Sequence, residues 1–235
     1  MKSPVDPASD ARAFLEGLPL FAGLGEASLL TLARAGKFVQ VEKGQFIFFQ
    51  TDPSEKVYLV RSGLVSIVLV SQDGREMVIN EMRPGDSFGE VGVLTGQPRS
   101  TSAIVRKEGV LLELPRQAFL SILGAEPVLA RRMLDMTANR LRGSSERESA
   151  LAFLDAQARL ARLLLQLEEL EEQKTEKGYV TISQEELAQR TGQTRQTVAK
   201  ALGRWRRAGW LITGRCHIML LNREKLEQLE QEWIL

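Results

Sequence analysis

Between Ser183 and His217 the cations Arg190, Arg195, Lys200, Arg204, Arg206, Arg207 and Arg215 outnumber the anions Glu185 and Glu186. Cations at that density suit contact with nucleic-acid phosphates and base edges. Their placement carries this reading; the net charge of +1 is uninformative by itself. Three further residues of the stretch have the spacing a helix-turn-helix requires. Ala188 is small where two helices would cross, Gly192 permits the positive φ of a sharp turn, and Val198 fills the angle between the helices. The plainer reading of the same charges is a solvated helical face. The chain's one cysteine and one histidine, Cys216 and His217, offer little chemistry. One cysteine forms no intrachain disulfide and cannot supply four thiolates to an iron–sulfur cluster. One His beside one Cys does not close a tetrahedral zinc site, so the pair reads as ordinary residues of a late hairpin and no metal is expected.

The elements that must position these cations are legible around them. Ser183 with Glu186 is a capping-box pair, so a helix should start at Ser183. Thr191-Gly192-Gln193 interrupts it, and Thr194 is a good N-cap for a second helix. That helix runs through Val198, Ala201 and Leu202 to about Arg207, with Gly209 as its stop. Leu211-Ile212-Thr213, a Gly214-Arg215 turn and Ile218 to Leu221 read as a β-hairpin, which completes a winged helix. Upstream, Leu160, Leu163, Leu164 and Leu167 mark an amphipathic helix after Asp155. Glu168 to Lys177 reads as a solvated helix end and loop, and Gly178 to Ile182 as a short strand.

The first half of the chain has another texture. Ala11 to Ala35 reads as short helices. From about Phe38 to Leu114, Phe46 to Phe49, Val57 to Val60, Leu64 to Val70 and Met77 to Ile79 read as strands. Asp73-Gly74 is a hairpin signal, and Gly44, Ser62-Gly63 and Pro84-Gly85-Asp86 mark further turns, so a barrel, sandwich or roll is expected. Beyond Pro127, as far as Leu154, there is no proline and Gly143 is the only glycine. This predicts a helix roughly 40 Å long. Leu134, Ala138, Leu141, Ser145 and Leu151 or Ala152 lie near one stripe of it, which fits either a helix–helix seam or packing on its own domain. A hydrophobic content of 43% and a charged content of 26% are those of a soluble globular protein. Apolar runs such as Leu163 to Leu165 are far too short to span a bilayer, and MKSPVDPASD has no signal-peptide core, so a cytoplasmic protein with no membrane partner is expected. No P-loop, Ser–His pairing or His-rich cluster supports an enzyme.

Three motifs then stand in order: Phe88-Gly89-Glu90-Val91-Gly92-Val93-Leu94 followed by Pro98-Arg99-Ser100; Ser144-Ser145-Glu146 with Leu151 to Asp155; and Gly192 with Thr194-Arg195-Gln196-Thr197-Val198. Together they resemble the cyclic-AMP receptor protein family of bacterial transcription regulators, over about Phe21 to Leu221. The resemblance implies an α+β fold: a jelly-roll-like, cyclic-nucleotide-binding β-roll over 1–126, a dimerisation helix and hinge over 127–155, and a winged helix-turn-helix over 156–235. It implies cAMP as allosteric effector, a homodimer on palindromic double-stranded DNA, and RNA polymerase as a further partner. Arg99 would hold the cyclic phosphate with its planar fork. Ser100 adds donors, Gly89 allows close approach of backbone, and Glu90 accepts from the ribose 2′-hydroxyl. Val91 to Leu94 would form a short helix whose N–H groups favour an anion. An ion pair between Glu90 and Arg99 is the alternative use of those charges. Ser144 and Ser145 match the positions that touch adenine, one of them from the partner subunit. Thr194, Arg195, Gln196, Thr197 and Lys200 match the DNA-facing positions. The chain departs from the family pattern at Ser144, where the best-known member has Thr, and at Glu148, near the seam where an apolar residue is usual. Thr51 replaces a turn glycine before Asp52, and Gln196 replaces an acidic residue. The same fold with another small effector, or with none, is the alternative function.

Overall fold

The computed structural model describes residues 6–71, 73–172, 179–214 and 216–231. They divide into two compact units, one ending at Leu141 and the other running from Arg142, with Arg75–Met77 grouped with the second.

In the first unit, α1 (Pro7–Glu16) and α2 (Glu26–Ala35) precede a six-stranded antiparallel sheet. Its strands are β1 (Lys37–Val41), β2 (Phe46–Phe48), β3 (Lys56–Val70), β4 (Glu76–Met82), β5 (Ser87–Phe88) and β6 (Ser102–Pro115). The order is β1-β6-β3-β4, with β2 also on β6 and β5 also on β3. Between β5 and β6 lies α3 (Glu90–Thr95), and after β6 come α4 (Arg116–Ala125) and α5 (Pro127–Phe153). The apolar run Val57 to Val60 is buried throughout because β3 has a core on each face. Val57 and Leu59 pack beneath the helices with Phe21, Leu32 and Phe119, while Tyr58 and Val60 pack inside the roll with Phe48 and Phe88. Side chains that alternate across a strand need two cores to be buried without a break.

One expectation is corrected here. Ser62-Gly63 is not a chain reversal, because β3 continues through it as a bulged strand against β6. Gly63 has φ +96°, and a Cβ at Gly109 on the facing strand would come within 2.0 Å of the Ser62 carbonyl oxygen. The two glycines let the paired strands bend and stay paired. Helix α5 has two characters. Leu129 and Met133 join the core of this unit, whereas Leu134 and Leu141 are each 68% exposed.

The second unit holds α6 (Ala156–Glu172), β7 (Tyr179–Thr181), α7 (Gln184–Thr191), α8 (Arg195–Arg207), β8 (Leu211–Gly214), β9 (His217–Leu220) and α9 (Arg223–Gln231). The strands form a sheet of order β7-β9-β8. Leu160, Leu164, Leu187, Val198, Leu202 and Trp205 are the centre of its core. Ser183 caps α7 with the full reciprocal box to Glu186, and Gly192 ends α7 at φ +66°. Gly178 of the expected strand, the 173–177 part of the charged stretch and Arg215 of the wing turn lie outside the described residues. The fold is α+β, as the sequence indicated.

Candidate functional site

The first site is built where β5 turns into α3. Strand β5 pairs with Tyr58 and Leu59, and Gly89 breaks it at φ +79° to start the helix at Glu90. Glu90 is 2% exposed. Its Oε1 accepts from Arg140 Nη1 at 2.5 Å, and the other Arg140 nitrogen donates to the Ser87 carbonyl. Glu90 Oε2 is buried without a partner among the described residues. Arg99 is 5% exposed, with its guanidinium 4.2 Å from the centre of the Phe48 ring. Its Nη1 donates to the Gly89 carbonyl and its Nη2 to the Lys56 carbonyl at 2.7 Å, while Nε has no hydrogen-bond partner among the described residues. Burial lowers the pKa of Arg99 from its ordinary value, against the opposing pull of Tyr58, Glu90 and Asp52. Backbone bonds from Thr51 to the Arg99 carbonyl and from Arg99 to the Asp52 carbonyl, at 2.8 and 2.9 Å, fasten this stretch to the loop before β3.

The structure revises two roles. The Glu90–Arg99 ion pair does not form, because Glu90 is taken by Arg140. Gly89 serves the fold itself, since its φ of +79° is a backbone conformation that L side chains rarely adopt. Val91 is exposed at the surface of α3, and Ser100 is exposed after Arg99. Arg140 is the residue that sequence reasoning missed. Its only signal was a cation on the same helix as Ser144, and nothing local tied it to Glu90. Among the described residues, Ser54 Oγ beside Gly92 of α3 lacks a partner, and so do two buried atoms of opposite kind. Arg99 Nε–H needs an acceptor and Glu90 Oε2 needs a donor. A ligand with an anionic group and a hydroxyl supplies both.

On α5, Ser144 is half-buried and its Oγ–H donates to Glu148 Oε1 at 3.2 Å, while Ser145 is exposed. The DNA-facing candidates lie on α8. Thr194 caps the helix by accepting from the Thr197 amide at 3.1 Å, and the two threonine hydroxyls lie 2.8 Å apart. Thr197 therefore serves the cap and is half-buried. Val198, Ala201, Leu202 and Trp205 are buried on one face of α8, and Arg195, Gln196 and Lys200 are exposed. Arg204 donates to Gln157 Oε1 at 3.0 Å and Arg206 to Thr213 Oγ1 at 3.4 Å, so both are tethered within the unit, while Arg207 is exposed. Cys216 is exposed in the wing with φ +60°. Among the described residues no group of three or more His, Cys, Asp or Glu is placed to hold a metal ion, and no helix is long and apolar enough to cross a membrane.

Comparison with known proteins agrees with this geometry. Residues 38–126 match the cyclic nucleotide-binding domain and residues 158–229 the Crp-like helix-turn-helix domain. The chain is 31% identical over 212 residues to a CRP-like cAMP-activated global transcriptional regulator of Mycobacterium tuberculosis, covering 88% of this chain and 94% of that one. It is 30% identical over 191 residues to the cyclic AMP receptor protein of Thermus thermophilus, covering 80% and 85%. Among solved structures, the global regulator CLP of Xanthomonas campestris, described as responsive to c-di-GMP, superposes with a TM-score of 0.75 at 22% identity over 83% of this chain and 99% of that one. A CRP/FNR-family transcriptional regulator of Thermus thermophilus superposes at 0.67 with 27% identity over 84% and 100%.

Proposed function

The chain belongs to the cyclic AMP receptor protein family of DNA-binding transcription regulators, and we propose that it works as a homodimer on a palindromic operator under the control of cAMP. The observation that carries the effector reading is the pair of orphaned atoms, Arg99 Nε and Glu90 Oε2. A cyclic phosphate supplies the acceptor that Arg99 lacks, and the ribose 2′-hydroxyl supplies the donor that Glu90 lacks. Ser100 and the start of α3 add donors to the phosphate. Arg140 holds the Glu90 carboxylate in place for the sugar. Ser144 and Ser145 meet the base. The two relatives whose names specify cAMP support this effector.

Dimerisation is supported by Leu134 and Leu141, two large apolar side chains left in water on a helix whose other face is already packed. In this reading residues 1–126 sense the effector, 127–155 form the dimer helix and hinge, and 156–235 bind DNA. Arg195, Gln196 and Lys200 read bases, with Thr194 and Thr197 ordering the start of α8. The protein acts in the cytoplasm with RNA polymerase as a further partner, and it is not an enzyme.

Calorimetric titration with cAMP, on wild type and Arg99→Leu, tests the effector reading. Wild type should bind, and Arg99→Leu should lose roughly 1.5–3 kcal/mol, at least about tenfold in affinity, while keeping its circular dichroism spectrum. Equal affinity in a folded Arg99→Leu protein removes the assignment. A second reading has its own support. Arg99 already gives two of its donors to main-chain carbonyls, which suits a regulator with another effector or none. A c-di-GMP arm in the same titration and DNA binding without any nucleotide separate the two.

A further inference from the structure

The bond between Ser144 and Glu148 on α5 has a direction. An ionised carboxylate only accepts, so the shared proton belongs to the serine hydroxyl. A charged acceptor also competes better for that proton than a neutral one. At 3.2 Å this exposed bond is longer than the roughly 2.5–3.0 Å usual for O–H···O, but it spans one helical turn, the separation at which side chains meet. With its proton turned toward Glu148, Ser144 Oγ offers lone pairs to anything else that approaches. In sequence, Glu148 follows Leu134 and Leu141 at steps of seven, so a carboxylate stands where the pattern would continue with an apolar side chain. That carboxylate needs a reason, and the Ser144 hydroxyl donates to it.

We propose that Glu148 is a positioning residue for base selectivity: by taking the Ser144 proton it makes position 144 an acceptor, which favours a 6-aminopurine over a 6-oxopurine. The inference rests on the reading above that brings the base of a cyclic nucleotide to Ser144. Adenine presents an N6 amino donor, which such an oxygen receives. Guanine presents O6, an acceptor, so lone pairs face lone pairs. A serine hydroxyl free to rotate could serve either base, because it donates and accepts. Glu148 thus turns a tolerant contact into a selective one, and a polar site left unpaired by the wrong ligand is a strong discriminator.

Titrations of the full chain with cAMP and with cGMP test this, on wild type, Glu148→Ala, Glu148→Asp, Ser144→Ala and the Ser144→Ala/Glu148→Ala double variant. Wild type should prefer cAMP. Glu148→Ala should narrow the cAMP-to-cGMP affinity ratio about fivefold or more, chiefly by gaining cGMP affinity. Alanine is the better helix former, so the variant should fold. Glu148→Asp keeps the charge but is too short to hold the bond, so it should narrow the ratio as alanine does. With Ser144 already replaced, adding Glu148→Ala should change the ratio less than about twofold, as expected when one residue acts through the other. An unchanged ratio in Glu148→Ala overturns the proposal. So does a wild-type ratio in Glu148→Asp, which would assign the effect to charge at a distance, or a full effect of Glu148→Ala without Ser144. Failure of the underlying reading looks different: wild type then binds neither nucleotide, or Arg99→Leu binds both as well as wild type does.

Discussion

Thr51 has a φ of 75°, a left-handed backbone that costs a residue with a Cβ roughly 1–2 kcal/mol and suits a β-branched one least. It is held there by its own amide, which donates to the Arg99 carbonyl. A glycine at the site relieves the strain and returns part of the gain as chain entropy, roughly 0.5–1 kcal/mol. Thr51→Gly should therefore stabilise the protein by up to about 1 kcal/mol, read as a higher midpoint in chemical denaturation. A lower midpoint would show that the threonine side chain contributes more than its backbone costs. At the other end of the chain, Gln196 is exposed in the first turn of α8 and is the informative departure from the family. Gln pairs well with adenine N6 and N7, whereas Glu accepts from cytosine N4. Gln196→Glu should shift base preference at one position of each half-site by about 1–3 kcal/mol if the contact is direct. Selection from random DNA on both proteins measures it, and identical preferences at every position would mean that Gln196 does not read sequence.

At the scale of elements, the pieces that were legible in the sequence were those set by local chemistry. The Ser183–Glu186 box and the Thr194 cap formed as read, because a cap needs only residues within one turn. Ser62-Gly63 was misread for a related reason. A glycine with positive φ looks the same in sequence whether it reverses the chain or bends a strand, and only the facing Gly109 distinguishes the two cases. Helix α5 left a choice between a seam and internal packing, and the structure gives it both kinds of residue, with Leu129 buried and Leu141 68% exposed. If Leu141 lies in a two-fold seam, Leu141→Asp places a charge against its own symmetry mate in low-dielectric surroundings. Sedimentation should then find monomer at concentrations where wild type is dimer. A fully dimeric variant would place the interface elsewhere.

At the scale of the whole molecule, the proposed two-fold dimer would present two copies of α8 to successive major grooves. The operator should be a palindrome with half-sites about one helical turn, roughly 34–36 Å, apart, a spacing inherited from the family. Affinity should fall steeply with salt, since cations on phosphates release counterions. Arg207→Ala should lower affinity for all sequences alike and make the salt slope shallower by about one unit per dimer half, whereas Arg195→Ala should relax preference at one base. A change of base preference in Arg207→Ala, with the salt slope intact, would reverse those roles. The α+β class, the long helix, the helix-turn-helix with its wing and the order of the motifs were determined by the sequence itself. Each of these rests on residues close together in the chain: periodicity, caps, turn glycines and contiguous motifs. The partner of Glu90 was decided by tertiary structure alone. Arg99 is the nearer cation in sequence, yet the fold turns it toward the Gly89 and Lys56 carbonyls and brings Arg140 from α5 to the carboxylate. Burial without a break from Val57 to Val60 was decided in the same way, because two separate cores must meet opposite faces of one strand. No pattern along the chain encodes which distant group arrives at a buried charge, since that depends on how strands and helices close over it.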